Sequence, residues 1–552
     1  MEEECFNFKL KPPGRERTVA YGYRFMEINA LQKETHTTED FKVHRYMDSP
    51  ENDRKPVLVS LGPHVLGACE PHVDTGHAAT AFAGAKKRLG IYLPGMTNYH
   101  RRRFRRFVSN WCKKNLKPLD PNTDFSLETW LENTNYPLWR KNQLRIAHSR
   151  IRDPHAKRHK KVKSFIKDET YPDFKHARTI NSRSDEYKTL VGPYIKQLEK
   201  KLFQTPWFIK YIPMADRPKA LLERLNCKYR YIYSTDFSSF EAHFTHLLED
   251  TEFILYEYMF RSIPDRDYIL KLLREGLLGT NELTFKYFLI SVWRRRMSGE
   301  MSTSCGNGFA NLMLILYIVE EIMGEKTEPY CEGDDGVFGT QTKCPDAKWL
   351  YSQLGISLKM EVCENVADAS FCGNVFDPED QLIVTDPIAA LVTFGWTTNK
   401  YVRASERRLK ELLRSKALSL CFQYRGNPIL SELGQYGLRV TRGVRARSGE
   451  TNEYMREEHA TMVEEMKKTG IPNVPVPYKT RLLVATRYGV SIADQYKIEN
   501  YLRNKNDLEP INCPELSTYL TAPSRTYYHN YVVRINTSYN VDGVFPNKVL
   551  VH

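Results

Sequence analysis

The sequence predicts a mixed α/β (α+β) chain, and three observations carry that expectation. The β-prone run Tyr231-Ile232-Tyr233-Ser234-Thr235 passes directly into residues with helical spacing. Tyr330 to Phe338 places short β-prone segments on either side of Gly333-Asp334-Asp335-Gly336. Ile356 to Val362 alternates apolar and polar residues, the period of a strand with one buried face. Strand and helix signals are clearest from Tyr231 to Val375. Residues 1–150 read as mixed and loop-rich, with a helix start in the small-residue stretch His77 to Gly84. From about Asp380 helix-like segments alternate with Pro-containing loops, and Asn427-Pro428 and Ile471 to Pro477 are the clearest breaks. There is no internal repeat and no low-complexity tract.

Composition bounds the function. With 552 residues and 41% hydrophobic residues, the chain is globular and long enough for several packed lobes. It carries 81 Lys and Arg against 67 Asp and Glu, a formal charge of +14, which favours a polyanionic partner. Aromatic residues make up 12%, suited to base stacking and equally to an ordinary core. The 11 Cys are scattered without a CxxC pair, and Cys5, Cys69, Cys112 and Cys227 lie too far apart for a zinc knuckle. This predicts free thiols in a reducing compartment and no structural zinc. Met1-Glu2-Glu3-Glu4-Cys5 lacks the pattern of a secretory signal. The longest apolar stretch, Leu312 to Val319, is too short to span a bilayer, so no intrinsic transmembrane segment is expected.

Taken in chain order, Arg101 to Arg106 (RRRFRR) reads either as a solvated helix face or as a nucleic-acid contact. From Lys157 to Arg183 positive charge is dense again. Lys167, Lys175 and Arg178 stand between apolar anchors there, as on a channel wall that neutralises a triphosphate or on a plain surface ribbon. Asp236 follows at the C-terminal end of its strand. Glu241 falls in the first turn of a helix that Ser238 or Ser239 can cap and that Phe244, Leu247, Leu248, Thr251 and Leu255 continue. Taken alone, this D-x4-E pair is an ordinary cap and a solvated face.

Ser298-Gly299 predicts a flexible loop, and the next helix runs to about Met323 before Gly324 stops it. Thr303, Asn307 and Asn311 form one polar stripe along this otherwise apolar helix, for internal hydrogen bonds or for a ribose hydroxyl. Gly306 and Gly308 cost helix stability, which makes sense where something approaches the backbone closely. The Gly-Asp-Asp-Gly turn is a tight hairpin by composition. Its Asp334 and Asp335 can also hold a hard cation, and Asp236 converges on Asp334 if the two strands lie side by side.

Asp346 to Leu354 predicts a short helix ending at Gly355. In the strand beyond it Ile356, Leu358, Met360 and Val362 face in, while Ser357, Lys359 and Glu361 face out, Lys359 being by default a solvated partner of Glu361. Phe371-Cys372-Gly373 suggests a further turn.

In order and spacing, the strand ending in Asp236, the Ser298-Gly299 helix and Gly333-Asp334-Asp335 resemble motifs A, B and C of the RNA-dependent RNA polymerases of positive-strand RNA viruses. The upstream cations resemble motif F, Lys359 falls where motif D places its lysine, and Phe371-Cys372-Gly373 resembles motif E. Asp236-x4-Glu241-x-His243 is similar to the D-x4-D-x-H pattern of the tombusvirus-like and nodavirus-like group, with Glu in place of the usual second Asp. The thumb of that group is echoed in Arg481, Tyr488-Gly489-Val490-Ser491, Gln495 and Glu499.

The resemblance implies a right-hand fold. Residues 1–225 would form fingers and fingertips, with the basic nucleotide-entry segment at 161–183. Residues 226–380 would form an antiparallel palm flanked by helices, with a fingers insertion at about 261–297, and 381–552 a mainly helical thumb. It implies two Mg²⁺ ions, replaceable by Mn²⁺, on Asp236, Asp334 and Asp335, with Lys359 protonating pyrophosphate. Lys167, Lys175 and Arg178 would hold the triphosphate. Glu241, Thr303 and Asn307, with the Ser298-Gly299 loop, would bind the nucleotide and sense its 2′-hydroxyl. The implied partners are RNA template and product, ribonucleoside triphosphates and a viral membrane-anchored replication protein. The implied place is the host cytoplasm, at membrane replication sites reached through that partner.

Two other readings compete. A reverse transcriptase usually carries a bulky aromatic where Glu241 stands and an apolar residue where Gly333 stands. A non-enzymatic basic RNA-binding or capsid protein would explain the charge and leave the ordered carboxylates without a purpose.

Overall fold

A computed structural model of the chain describes residues 15–27, 37–156, 161–449 and 453–537. The readings of Met1 to Cys5 and of the cations at 157–160 lie outside the described residues.

The four-stranded sheet at the centre is antiparallel throughout. Its order is Leu358–Cys363, Tyr231–Phe237, Asp335–Thr340, Tyr330–Glu332. Tyr231–Phe237 is therefore an inner strand, and burial follows: Ile232, Tyr233, Ser234 and Thr235 are all buried. Tyr233 stacks on Phe338 of the neighbouring strand with ring centroids 5.3 Å apart, a cross-strand pair that pins the register. Under the sheet lies the largest apolar core, built from the helices Phe240–Leu247, Phe253–Met259 and Thr303–Leu316. The last of these is buried on nearly every side, which explains its all-round apolarity. With its continuation it forms Thr303–Ile322, long and apolar enough to cross a membrane, but 78% of its most apolar window is buried inside the molecule. We read it as a core helix.

A five-stranded sheet runs in the order Lys42–Tyr46, Phe288–Trp293, Thr280–Thr284, Lys161–Ile166, Thr179–Arg183. It joins the basic segment at 161–183 to strands more than 90 residues further on. A third sheet, Trp396–Thr398, Pro56–Ser60, Glu16–Tyr21, Val532–Asn536, brings both ends of the described chain together. The tail is mainly helical. Glu406–Gln423 and Leu430–Val440 pack with Ile492–Asn504 around a second apolar core. There Arg481 makes a buried two-point ion pair with Glu499 at 2.8 and 2.9 Å. Glu499 also accepts the Ile429 N–H, and Gln495 donates to the carbonyls of Arg481 and Val490. The residues that echoed a thumb thus brace this lobe from inside.

Several local expectations need correction. The RRRFRR helix is a mixed face: Arg102, Arg105 and Arg106 are exposed, but part of its charge pairs with acids of the protein. Arg101 and Arg105 grip the buried Asp250, and Arg103 pairs with Glu321. Neither Ser238 nor Ser239 caps the helix at Phe240. Ser239 is left-handed (φ +53°) and its hydroxyl donates instead to the carbonyl of Lys87 at 3.1 Å. That helix also does not run regularly to Leu255, because Leu248–Glu252 is a wide turn carrying the buried acids Asp250 and Glu252. In the strand Leu358–Cys363, Val362 is 50% exposed and Cys363 is buried. The inward alternation therefore fails past Met360, where the edge strand leaves the core. Among the described residues no ion pair joins Lys359 to Glu361, and both side chains are exposed. The ten described cysteines are free thiols.

Candidate active site

Asp335 and Glu332 pair across a two-residue loop, Gly333-Asp334, in which Gly333 takes φ +59°. A left-handed residue costs glycine nothing here, and the turn throws Asp334 to the hairpin tip. Gly336 pairs with Thr235, so the register carries Asp335 toward Asp236 at the same end of the sheet. On the other side of that central strand Lys359 pairs with Asp236. The tip is tied down from two directions. Thr235 donates to the carbonyls of Asp334 and Gly336 at 3.3 and 3.4 Å. The fully buried Asn311 donates to those of Gly333 and Asp334 at 3.3 and 3.0 Å.

Asp236, Asp334 and Asp335 are reached by water, yet the two hairpin carboxylates are walled by protein on most sides. Burial, the neighbouring charge of Asp334 and then that of Asp236 push the Asp335 carboxyl up to about 6. Burial and Glu241 push Asp334 upward too, against the opposing charges of Arg88 and Arg178. Several acids, all oxygen donors, therefore feel one another here, and such a set suits a hard divalent cation that relieves their repulsion. Among the described residues no group of three or more His, Cys, Asp or Glu side chains stands, as folded, where it could hold a metal ion together.

Above the tip is a cleft of ≈ 720 Å³. Asp334, Gly333, Thr303, Ser304, Asn307 and Gly299 line it, together with Arg140 and Lys188. Thr303 donates to the carbonyls of Met297 and Glu300, so its hydroxyl proton already has local partners. The glycines of this helix make room for protein rather than for a ligand. A Cβ on Gly306 would lie 2.5 Å from the buried Glu252 carboxylate, and one on Gly308 would lie 3.0 Å from Phe208. The Ser298-Gly299 loop is not free either. Ser298 donates to the Thr179 carbonyl at 2.8 Å, and the Gly299 N–H donates to Asn181 at 2.9 Å, fastening the loop to the strand Thr179–Arg183.

Of the upstream cations, Arg178 is close enough to the hairpin to oppose the rise of Asp334. Lys167 and Arg178 both pair with Glu169, at 2.8 and 2.5 Å, while remaining nearly half exposed. Lys175 is exposed and sits 5.0 Å over the Tyr171 ring. His243 does not face the site. Its Nε2 accepts the Ser357 N–H at 2.9 Å, and burial pulls its ring down to about 4, so it is a neutral brace between helix and edge strand.

Three residues at the site escaped sequence reading. Arg88, at the end of the helix Ala78–Leu89, donates to Glu241 at 2.9 and 2.7 Å. Arg296, fully buried, pairs with Glu252 and Glu300 and donates to Asn307 at 3.0 Å. Lys210 donates to Ser304 at 2.9 Å and pairs with Glu332 at 3.3 Å. The one available signal was the run Arg294-Arg295-Arg296 directly before the Ser-Gly loop.

Neighbouring acids at the end of an antiparallel sheet, beside a cleft that Arg140 and Lys188 line, suit phosphoryl-transfer chemistry. Residues 213–418 match the family described as viral RNA-dependent RNA polymerase, so the chain carries a domain of that kind. It is an RNA-directed RNA polymerase, with RNA and nucleoside triphosphates as its substrates. The match takes in Asp236, Glu241, Asn307, the acidic hairpin and Lys359, whereas Arg88, Lys167, Lys175 and Arg178 lie before it. No curated protein matches the chain.

Proposed function

We propose that the chain copies a viral RNA genome by two-metal nucleotidyl transfer, joining ribonucleotides to an RNA 3′-hydroxyl. The observation that carries this reading is the register that brings Asp335 toward Asp236, with Asp334 beside it on the floor of the cleft. Asp236, Asp334 and Asp335 would hold two Mg²⁺ ions, or Mn²⁺ in their place. When bound, such ions stabilise the attacking and leaving oxygens of an in-line displacement. Arg178, Lys167 and Lys175 meet the triphosphate, the first two by exchanging Glu169 for phosphate oxygens. Glu241 and Asn307 bind the 2′-hydroxyl. Lys359, opposite Asp236 and exposed, gives a proton to the departing pyrophosphate. The proposal extends to replication in the host cytoplasm, on membranes reached through a viral anchored partner; a chain that bound membranes equally well without that partner would contradict this part.

The test is single-nucleotide extension on a primed RNA template. Ribonucleotides with Mg²⁺ should be incorporated and deoxyribonucleotides strongly rejected, because a site built to bond a hydroxyl leaves buried polar groups unpaired without it. In the same assay Lys359→Leu should slow the single-turnover step by roughly 10²–10⁴-fold with nucleotide affinity unchanged. Equal use of both sugars would sink the ribonucleotide reading, and a wild-type rate for Lys359→Leu would remove that lysine from catalysis.

A further inference from the structure

We infer that Arg88, outside the polymerase motifs, is a positioning residue for sugar selection and acts through Glu241. The inference rests on the proposed reading of Glu241 and Asn307 as the groups that meet the 2′-hydroxyl. Both Nε and Nη2 of Arg88 donate to the same oxygen, Oε1 of Glu241, at 2.9 and 2.7 Å. The other oxygen, Oε2, is buried and has no partner, although Glu241 is only 8% exposed. A buried carboxylate oxygen without a donor is costly, and it is the kind of atom a ligand hydroxyl satisfies.

The opposite half of the reader is fixed in the same way. Arg296 donates its Nε to Oδ1 of Asn307 at 3.0 Å, and its backbone N–H donates to the carbonyl of Glu241 at 3.2 Å. A guanidinium only donates, so it must take the amide oxygen of Asn307 and leave Nδ2 for the cleft that this residue lines. A hydroxyl in the cleft would be met by Nδ2 of Asn307 as donor and, once it is turned out of its buried position, by Oε2 of Glu241 as acceptor. A hydroxyl, which both donates and accepts, satisfies both.

Arg88 is itself held from both sides. Ser239, at the entrance to the Glu241 helix, donates to the carbonyl of Lys87. Gly84, one turn earlier, lies against the cation-bearing segment, where a Cβ would come within 2.4 Å of the Ala177 carbonyl. The helix Ala78–Leu89 thus brackets the sugar-reading and triphosphate-binding elements. This gives a functional part to a stretch whose sequence matches no polymerase motif.

Arg88→Ala leaves the Glu241 carboxylate without its donor, a destabilising change, so circular dichroism is recorded for every variant, and Arg88→Lys, which keeps a cation beside Glu241, carries the comparison where Arg88→Ala does not fold. The experiment compares kcat/KM for a ribonucleoside triphosphate and its 2′-deoxy counterpart in the wild type, Arg88→Ala, Arg88→Lys, Glu241→Ala and the double variant Arg88→Ala/Glu241→Ala. Arg88→Ala should narrow the ribonucleotide preference by about tenfold or more, and Arg88→Lys should recover part of it. The double variant should be no worse than Glu241→Ala alone, because Arg88 acts through that residue. If Glu241→Ala narrows the preference and Arg88→Ala does not, the inference falls and the sugar-reader reading stands. If Arg88→Ala raises KM equally for both nucleotides, Arg88 is a phosphate contact and the inference is again wrong. Should Glu241→Ala leave the preference untouched, both ideas fall together.

Discussion

Protein on most sides and the neighbouring Asp334 charge push the Asp335 carboxyl up to about 6, although water still reaches it. The folded carboxyl thus binds a proton more tightly than its ordinary value of 3.8 allows. Its contribution to stability is full below that value and is lost as pH rises through about 6. A divalent cation reverses this, since it binds the deprotonated group. Below pH 6 the apparent Mg²⁺ affinity of the RNA-free protein should therefore fall by about tenfold per pH unit, for one proton displaced. The rise in Tm produced by Mg²⁺ should be larger well above pH 6 than well below it. Calorimetry and thermal melts at several pH values check both, and a pH-independent Mg²⁺ effect would remove Asp335 from the metal site. At this scale the acids were legible, because hairpin tips and strand ends announce themselves locally. Arg88 was not, because its partner lies 153 residues away and only the fold brings the two together.

The acidic hairpin works as an element because its tip is anchored from beneath. Asn311 was legible as part of a polar stripe on an apolar helix, but its destination was not. The stripe divides: Thr303 bonds its own turn, Asn307 is turned by Arg296, and Asn311 holds the hairpin. Asn311→Ala leaves the Gly333 carbonyl without its donor and frees the tip, at a cost of about 1–3 kcal/mol. A displacement of the reacting groups by about 1 Å can cost roughly 10²-fold in rate. Asn311→Ala should accordingly lower kcat by about tenfold to a hundredfold while RNA affinity stays unchanged. A variant that melts earlier but turns over normally would show that the tip does not need this anchor. Glycine patterns were legible as close approaches, but not which group approaches. At Gly306 the neighbour is the buried Glu252–Arg296 ion pair, which local sequence cannot announce.

Across the whole molecule, the strand, helix and hairpin segments were legible singly, since each has its own period and turn chemistry. The antiparallel palm was implied only by the resemblance, and the side-by-side pairing of Tyr231–Phe237 with Asp335–Thr340 comes from the fold. The sheet that unites Glu16–Tyr21, Pro56–Ser60, Trp396–Thr398 and Val532–Asn536 was invisible, because pairings across hundreds of residues leave no local trace. Its effect is to close the chain upon itself, N-terminal strands against C-terminal lobe, around the central sheet. The surplus charge of +14 reads differently once the fold is known. Arg101 and Arg105 of RRRFRR serve the buried Asp250, while Lys167 and Arg178 share Glu169 and, with Lys175, remain partly exposed. Everything converges on the claim that Asp334, at the hairpin tip, supplies the charge on which nucleotidyl transfer depends. The most direct test is ribonucleotide incorporation by purified Asp334→Ala on a primed RNA template, with circular dichroism and RNA affinity measured on the same preparation. The account predicts a folded protein that binds RNA as the wild type does and incorporates no nucleotide. Incorporation at the wild-type rate by that folded variant would contradict it.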